Sequence, residues 1–369
     1  MSAAVTTSPV AAGSQARALA VRMFLAMLAT QELLSTYLGV RLGLYEELAD
    51  GGPGTADEVA GRAAVAPRYA REWLEQQAVA GLLAVDDPGK PAEERVYSLP
   101  PGHDEVLRES ANPLSMVALS VLPLGGIARA LPELLEAYRS GDGVPDEAFG
   151  DDWRNGHSGA NRALFSHFLV PWIERHLPDV NAQLSAPGAR AADIACGAGW
   201  AGIALARAYP GLRVDGFDLD AETILLARRN AEEAGVADRV SFEVRDASDP
   251  GLEGRYGLVC LFDALHEIAA AVEVLAACRA LRAGGGTVLV LDARVAETFT
   301  APGDEIERFQ YATSVLHCLP ACLSIQPSAG TGTAMRPSTV RDYAARAGFA
   351  GVELVPVEER FHRLYRLVG

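Results

Sequence analysis

The second half of the chain alternates short apolar segments with helical ones, and this pattern constrains the fold most strongly. From about Ala189, five apolar segments are separated by segments with helical spacing. Strands that alternate with helices build a parallel sheet, and ligands bind beyond the carboxyl ends of its strands. After the first strand, Gly197, Gly199 and Gly202 have the G-x-G-x-x-G spacing that lets a backbone turn approach a nucleotide. The sequence therefore predicts a Rossmann-like α/β domain.

Acidic residues mark the ends of three successive strands in this domain. They are Asp193, Asp218 and Asp246. An NAD site needs one such acid for a ribose, whereas S-adenosylmethionine offers an ammonium, ribose hydroxyls and an adenine amine as donors. Any one of these acids could instead cap a helix or lie in solvent. The three together favour S-adenosylmethionine over NAD.

Residues from about 185 to 369 resemble a class I S-adenosylmethionine-dependent methyltransferase. The motifs that carry the resemblance are "DIACGAG", "GFDLD", "VRDA" and "LRAGGG", in that order. The full-length arrangement, with "REWLEQQAVAG", "SVLHCLP" and "TGTAMRP", resembles an actinobacterial group of methyltransferases with an N-terminal winged helix. The resemblance predicts a Rossmann-like class I methyltransferase sheet behind an N-terminal, mostly helical winged-helix domain.

The resemblance also implies a set of cofactor contacts. The glycine loop would line the methionine portion, Asp218 would accept from the ribose hydroxyls, and Asp246 would accept from the adenine amine. The implied set is Asp193, Gly197, Ala198, Gly199, Asp218, Leu219, Asp246, Ala247 and Phe262. The family usually has glycine where Ala195 stands, and the added methyl group is expected to shift the loop slightly or weaken binding.

The candidate catalytic residues follow the fourth strand, in "FDALHEI". Methyl transfer to a hydroxyl group needs a base, and histidine can accept a proton near neutral pH when a carboxylate fixes its tautomer. His266 and Glu267 resemble the His-Asp pair of O-methyltransferases that also join a winged helix to this fold. The alternative is that His266 only caps the next helix or bonds a backbone carbonyl.

A substrate pocket is expected on the same edge of the sheet. Asp292 either orients His266 or ends its strand in solvent, and residues 311–337 are predicted as a long functional or mobile loop. Whether that loop is ordered without substrate is left open by the sequence. Candidate substrate-binding residues are Phe165, Trp172, Asp292, Tyr311, His317 and Met335. Core packing is the alternative for the apolar members of this set.

The cysteines are interpreted as buried thiols in a reducing compartment. They are five in number and scattered, which does not suit a disulfide framework, so a cytoplasmic location is expected. The spacing of His317, Cys318 and Cys322 matches no common zinc arrangement and offers no fourth ligand. The sequence therefore predicts no metal site.

The first 110 residues predict a winged-helix domain. Thr55 and Glu58 form a capping box, Pro67 opens a helix that Gly81 ends, and two short apolar segments around a turn form a hairpin. This part has nine basic and fifteen acidic residues, and the whole chain has a net charge of −16. Nucleic acid is therefore disfavoured as a partner.

The N-terminal stretch raises a question of membrane insertion. Residues 1 to about 15 are predicted as a frayed tail, without the features of a signal peptide. The apolar run that follows is interrupted by Arg22, Gln31 and Glu32, so it predicts an amphipathic helix rather than a membrane span. The N-terminal helices and the family together predict a homodimer.

Three segments with separate roles are expected. Residues 1–110 would form the dimer or cover the substrate. Residues 111–184 would be a helical linker and substrate cap around an acidic loop, and residues 185–369 would bind S-adenosylmethionine.

The expected function is methylation of a small molecule, a natural product or metabolite, on an oxygen atom, with His266 as the base. Transfer to nitrogen or carbon stays open, and so does a winged-helix regulator that senses S-adenosylmethionine without catalysis. An NAD oxidoreductase is a more distant alternative.

Overall fold

The computed structural model describes residues 9–108, 111–248 and 256–369. It divides into two compact units, the first ending at Leu124 and the second beginning at Gly125. The sequence predicted three segments with boundaries after residues 110 and 184, and the roles given to those segments stay predictions.

The first unit is mostly helical. Its elements are α1 (Pro9–Arg41), α2 (Leu44–Asp50), α3 (Ala56–Arg62), α4 (Pro67–Val79), β1 (Ala84–Val85), β2 (Tyr97–Ser98), α5 (His103–Leu107) and α6 (Val117–Val121). Thr55 accepts from the backbone N–H of Glu58, whose carboxylate bonds back to the cap, so the predicted capping box is present at the start of α3. Strands β1 and β2 pair antiparallel, as expected for a wing.

Helix α1 begins earlier than the sequence prediction. Residues 9–15 are helical where a frayed tail was expected, while residues 1–8 of that tail lie outside the described part of the chain. By length and composition, residues 13–41 could cross a membrane, and the large apolar side chains from Leu19 to Leu28 are exposed. One such helix near the N-terminus is weak evidence for a span, because signal sequences and helices of soluble proteins meet the same criteria.

The second unit combines helices with a seven-stranded sheet. The helices are α7 (Leu131–Ser140), α8 (Gly150–Leu164), α9 (Val170–His176), α10 (Pro178–Leu184), α11 (Trp200–Ala208), α12 (Ala221–Glu233), α13 (Ala271–Leu281), α14 (Glu305–Thr313), α15 (Leu319–Leu323) and α16 (Pro337–Arg346). The strands are β3 (Arg190–Ile194), β4 (Arg213–Asp218), β5 (Val240–Val244), β6 (Tyr256–Phe262), β7 (Arg282–Ala293), β8 (Gly351–Val355) and β9 (His362–Val368).

The strand order is β5-β4-β3-β6-β7-β9-β8. Strands β3 to β7 are parallel, as predicted, and the C-terminal hairpin of β8 and β9 is antiparallel. The chain order reverses between β3 and β6, so the turns after these neighbouring strands flank a crevice at the carboxyl edge of the sheet. This is the position where ligands bind in open α/β sheets.

Both faces of the sheet are covered. Along β6, Leu258, Cys260 and Phe262 join one buried cluster, whereas Val259 and Leu261 join the other. Successive side chains of a strand point to opposite faces, so a strand buried on both sides is a continuous apolar run. This explains why the sequence pattern of these strands was recognisable.

The segment predicted as a long loop at 311–337 is helical in its first part. Helices α14 and α15 are joined by a π-helical stretch, Ser314–Cys318, which places Pro320 in the first turn of α15. A proline in the middle of a regular helix loses a backbone hydrogen bond, but the wider π turn and the N-terminal position accommodate it. The prediction of a loop was wrong for this first part of the segment, because a π-helical turn that the sequence pattern did not reveal joins the two short helices. The acidic loop predicted over "GDGVPDEAFGDDWRNG", residues 141–156, is likewise α-helical from Gly150 onwards.

Candidate active site

The turn after β3, residues 195–199, is the glycine loop. Gly197 and Gly199 have φ values of 51° and 80°, in the left-handed region that favours glycine. A Cβ atom on Gly199 would lie 2.3 Å from the Phe242 ring, whereas one on Gly197 would meet nothing within 4 Å. Gly199 is therefore needed for packing, and Gly197 faces open space that a ligand can approach.

Ala195 is the residue of the loop that departs from the family pattern. Its φ is 51°. A left-handed conformation costs a non-glycine residue about 1–2 kcal/mol. The backbone of this position therefore gives a physical reason for the glycine that the family usually has there.

Two of the three predicted strand-end acids bind the backbone of neighbouring segments. Asp193 is 2% exposed, and its Oδ2 accepts from the backbone N–H of Gly202 at 3.1 Å. Burial raises the pKa of Asp193 to about 7. Asp218 accepts from the N–H of Gly197 at 2.8 Å and from that of Asp220 at 3.0 Å. Each carboxylate oxygen of Asp218 keeps a second lone pair, with which it could accept a ribose hydroxyl.

The remaining predicted cofactor residues differ in their exposure and in their partners. Leu219 is 58% exposed, and the exposed Asp246 accepts from the N–H and hydroxyl of Ser248 at 2.8 and 2.7 Å. Ala198 is buried, Ala247 is partly buried, and Phe262 is buried against Phe165 with ring centroids 5.6 Å apart.

The chemistry of these residues matches that of a nucleoside with a charged sulfonium tail. Open space above Gly197, spare lone pairs on Asp218 and the exposed apolar side chain of Leu219 suit such a ligand. The residues present therefore fit S-adenosylmethionine.

The predicted base lies in the turn after β6 and contacts the end of β7. His266 Nδ1 lies 2.8 Å from Asp292 Oδ1, and the backbone N–H of His266 donates to Asp292 Oδ2 at 3.3 Å. His266 is 3% exposed and Asp292 is fully buried. A buried carboxylate at this distance holds the proton on Nδ1 and leaves Nε2 as the acceptor in the neutral ring.

Glu267 and His317 extend the chain of polar contacts that begins at Asp292 and His266. We call His266, Glu267, Asp292 and His317 the histidine cluster. Glu267 Oε1 lies 3.4 Å from His266 Nε2 and 3.2 Å from His317 Nδ1. The His317 ring stacks on Trp153 with centroids 3.8 Å apart, and its Nε2 lies 3.2 Å from an oxygen of Asp146. The predicted partner Glu267 thus faces Nε2, while Asp292 holds Nδ1.

The carboxylates of this cluster favour the charged forms of its two histidines. Burial by itself would lower the pKa of His266, but the Asp292 carboxylate outweighs it and raises that pKa well above the usual value. Burial likewise opposes a charged His317, and the Glu267 carboxylate raises its pKa well above the usual value. Since the neutral ring is the base, the share of His266 able to accept a proton increases with pH.

The other predicted substrate residues are mostly packed inside the unit. Trp172 and Met335 are 6% and 2% exposed. The hydroxyl of Tyr311 accepts from Arg336 Nη2 at 2.7 Å. The structure therefore brings Asp292 and His317 to His266 and Phe165 to Phe262, while Trp172 and Met335 belong to buried apolar clusters.

A second histidine–carboxylate group was missed by the sequence analysis. Asp263 Oδ2 lies 3.2 Å from His157 Nε2, and Asp263 Oδ1 lies 3.4 Å from His362 Nε2. Burial opposes the charge on His362, but Asp263 outweighs it and raises the pKa of His362 to about 10. Asp263 follows β6 directly, so the rule that acids end these strands could have found it. Its histidine partners are too distant in sequence for any such signal.

Two family models match the chain. Residues 191–286 match a methyltransferase domain, and residues 29–109 match an Rv2258c-like winged HTH domain. The second unit carries a methyltransferase domain. The predicted class I fold and the predicted winged helix are both confirmed.

Individual relatives agree with these domains. The chain is 31% identical over 113 residues to a ubiquinone biosynthesis O-methyltransferase of Xanthomonas campestris pv. campestris, and this match covers 30% of the chain and 46% of the relative. The chain thus spans about half the length of that curated relative.

Two solved structures resemble the whole chain. The mitomycin 7-O-methyltransferase MmcR has a TM-score of 0.67 and 19% identity, with 96% of this chain and 99% of that chain covered. Human N-acetylserotonin methyltransferase in complex with S-adenosylmethionine has a TM-score of 0.69 and 17% identity, with both chains fully covered. At these identities the likeness establishes the fold.

Proposed function

We propose that the protein is an S-adenosylmethionine-dependent methyltransferase that acts on an oxygen atom of a small natural product or metabolite, with His266 as general base. The observation that carries the proposal is the 2.8 Å contact between His266 Nδ1 and Asp292 Oδ1. Both side chains are buried at the edge of the sheet that also holds the glycine loop. The methyltransferase domain and the O-methyltransferase names of the relatives support this choice.

The cofactor site is assigned to the carboxyl ends of β3, β4 and β5. When bound, S-adenosylmethionine supplies a methyl group on a positively charged sulfur, which is a good leaving group. Asp218 would accept from the ribose hydroxyls and Asp246 from the adenine amine. Gly197 would let the backbone approach the ligand closely, and Phe262 would flank it.

His266 would remove the proton from the acceptor hydroxyl. Its Nε2 takes the proton while Asp292 holds Nδ1–H and stabilises the imidazolium that forms. Glu267, 3.4 Å from Nε2, would then pair with the charged ring. This division of labour requires a neutral His266 before the reaction and a carboxylate on Asp292 throughout.

We also infer a homodimer in the cytoplasm. The large apolar side chains exposed on α1 support burial against a second copy, and the cysteines, all free and buried, support a reducing compartment. Residues 1–110 keep dimerisation or capping as their proposed role, and residues 111–184 keep that of a substrate cap. Light scattering should give twice the chain mass of 39.0 kDa, and a monomer would contradict the dimer.

Calorimetric titration with S-adenosylmethionine, S-adenosylhomocysteine and NAD tests the cofactor assignment. We expect the first two to bind and NAD not to bind. Asp218→Ala should abolish binding. The matched control is Asp238→Ala at an exposed site, and this variant should bind the cofactor as the wild type does. NAD binding, or binding unchanged in Asp218→Ala, would overturn the assignment.

A panel of phenols, aliphatic alcohols and aromatic amines tests the acceptor. Methyl transfer to a hydroxyl-bearing compound is expected, and transfer to amines alone would favour the nitrogen alternative. Binding of cofactor without any transfer, together with salt-dependent binding to duplex DNA that Arg68→Ala and Arg71→Ala remove, would favour a regulator.

A further inference from the structure

Three potential metal ligands converge beside the proposed base. One ligand atom each from His266, Glu267 and Cys318 lie within 4.8 Å of one another, and His266 Nε2 lies 3.4 Å from Glu267 Oε1. In a tetrahedral zinc site with bonds of about 2.0–2.3 Å, ligand atoms are about 3.3–3.8 Å apart. The three side chains therefore need only a small contraction to reach a common ion.

The surroundings of the three ligands also suit a metal. A metal-binding histidine typically donates its other ring N–H to a carboxylate, and Asp292 takes this position at His266 Nδ1. His317 Nδ1, 3.2 Å from Glu267 Oε1, orients the carboxylate in the same way. Each of two ligands thus has an outer partner that fixes its direction.

Charge and ligand type favour a zinc-like ion. Cys318 is 3% exposed and His266 equally so, and a thiolate with an imidazole is a donor pair that zinc and related ions prefer. With the carboxylate of Glu267 the ligands would carry two negative charges, which a divalent cation balances. Three protein ligands leave a fourth position open, as in catalytic rather than structural zinc sites.

The sequence could not point to this group of ligands. Spacing arguments considered His317, Cys318 and Cys322, and Cys322 Sγ is instead 3.3 Å from the hydroxyl of Ser328. The ligands come from the turn after β6 and from the π-helical stretch before α15, about fifty residues later. Only the fold brings them together.

We propose that His266, Glu267 and Cys318 bind a divalent zinc-like ion, and that the bound ion inhibits methyl transfer. The inhibition rests on the proposed function, because the ion occupies the lone pair of His266 Nε2. Without the ion, that lone pair would take the proton from the hydroxyl group of the methyl acceptor. Removal of the ion by a chelator restores the base.

Cobalt titration of the chelator-treated full-length protein tests binding without any methyl acceptor. We expect one ion per chain and an intense near-ultraviolet band from thiolate-to-cobalt charge transfer. Cys318→Ser should abolish the band, whereas Cys322→Ser, the matched control, should keep it. A band that persists in Cys318→Ser, or no stoichiometric binding by the wild type, would overturn the site.

A second variant tests the site independently, in case Cys318→Ser does not fold. Glu267→Gln keeps the shape of the side chain and the thiolate, so the cobalt band should remain while zinc affinity falls by at least about tenfold. Competition with a zinc-binding dye measures this loss. Unchanged zinc affinity in Glu267→Gln would exclude Glu267 as a ligand and contradict the proposed site.

An activity assay then separates the two proposals. With any active acceptor, stoichiometric zinc should abolish turnover, and a chelator should restore it, without changing S-adenosylmethionine affinity. Zinc that binds without inhibiting would overturn the inhibition and the role of His266 as base, although the metal site would stand. If the protein methylates nothing, the cobalt experiment still decides the metal site.

Discussion

The glycine loop and the histidine cluster lie on the same edge of one sheet, yet they are built differently. The contacts of the loop come from adjacent elements: the N–H of Gly197 donates to Asp218 at the end of the next strand, and the N–H of Gly202, in the helix that follows the loop, donates to Asp193. The histidine cluster joins the turn after β6, the end of β7 and the π-helical stretch before α15. Its surroundings include Trp153, more than a hundred residues earlier in the chain.

This difference separates two kinds of physical control. Backbone dihedral angles and close packing determine the loop, so a changed side chain there acts first on stability and ligand affinity. Paired buried charges determine the histidine cluster, so a changed side chain there acts first on proton transfer and on its pH dependence. Substitutions in each region should therefore move different measured quantities.

The largest effect is expected for His266→Gln. Loss of a positioned general base should lower the turnover number about 10²–10⁴-fold, while S-adenosylmethionine affinity stays unchanged. The glutamine amide can still donate to Asp292, which protects the buried carboxylate from being left unpaired. Single-turnover kinetics and calorimetry measure the two quantities. The control is His167→Gln at an exposed site, and near-normal turnover in His266→Gln would show that the acceptor needs no base.

A smaller effect, on stability, is expected for Gly199→Ala in the glycine loop. The new Cβ would meet the Phe242 ring at 2.3 Å in a backbone with φ of 80°. Left-handed strain and overpacking together should lower the free energy of unfolding by about 2–4 kcal/mol. Urea denaturation measures the loss, with Gly211→Ala as control because its Cβ would meet nothing within 4 Å. Equal stability of the two variants would contradict the packing role of Gly199.

The same contrast explains what the sequence could predict. The strands, the glycine loop and Asp218 follow from local patterns, because a parallel strand buried on both faces is a continuous apolar run. The contact of His266 with Asp292 could be foreseen as one of two options, since neighbouring strand ends meet. The contacts of Glu267 with His317 and of Asp263 with His362 depend on how distant segments pack, and no spacing rule encodes them.

The next largest effect after that of Gly199→Ala is expected for the pH dependence of turnover. Because Asp292 raises the pKa of His266, the neutral base is scarce at low pH, and turnover should rise about tenfold per pH unit until the ring loses its proton. The midpoint of this rise should lie above the ordinary histidine pKa of about 6.5. In Asp292→Asn the midpoint should move to lower pH, although the plateau falls. A rise centred at the same pH in both proteins would show that Asp292 does not control the base.

The smallest effect is expected for Ala195→Gly, and it tests the loop without removing a contact. Glycine relieves left-handed strain of about 1–2 kcal/mol but makes the unfolded chain more flexible, at a cost of about 0.5–1 kcal/mol. The net change should be a stabilisation of up to about 1 kcal/mol, with cofactor affinity no weaker than in the wild type. Ala276→Gly, at an exposed position inside α13, is the matched control and should destabilise by about 1 kcal/mol. If both variants lose the same stability, the φ of 51° at Ala195 stores no strain, and the loop is less strictly controlled by its backbone than its contrast with the histidine cluster implies.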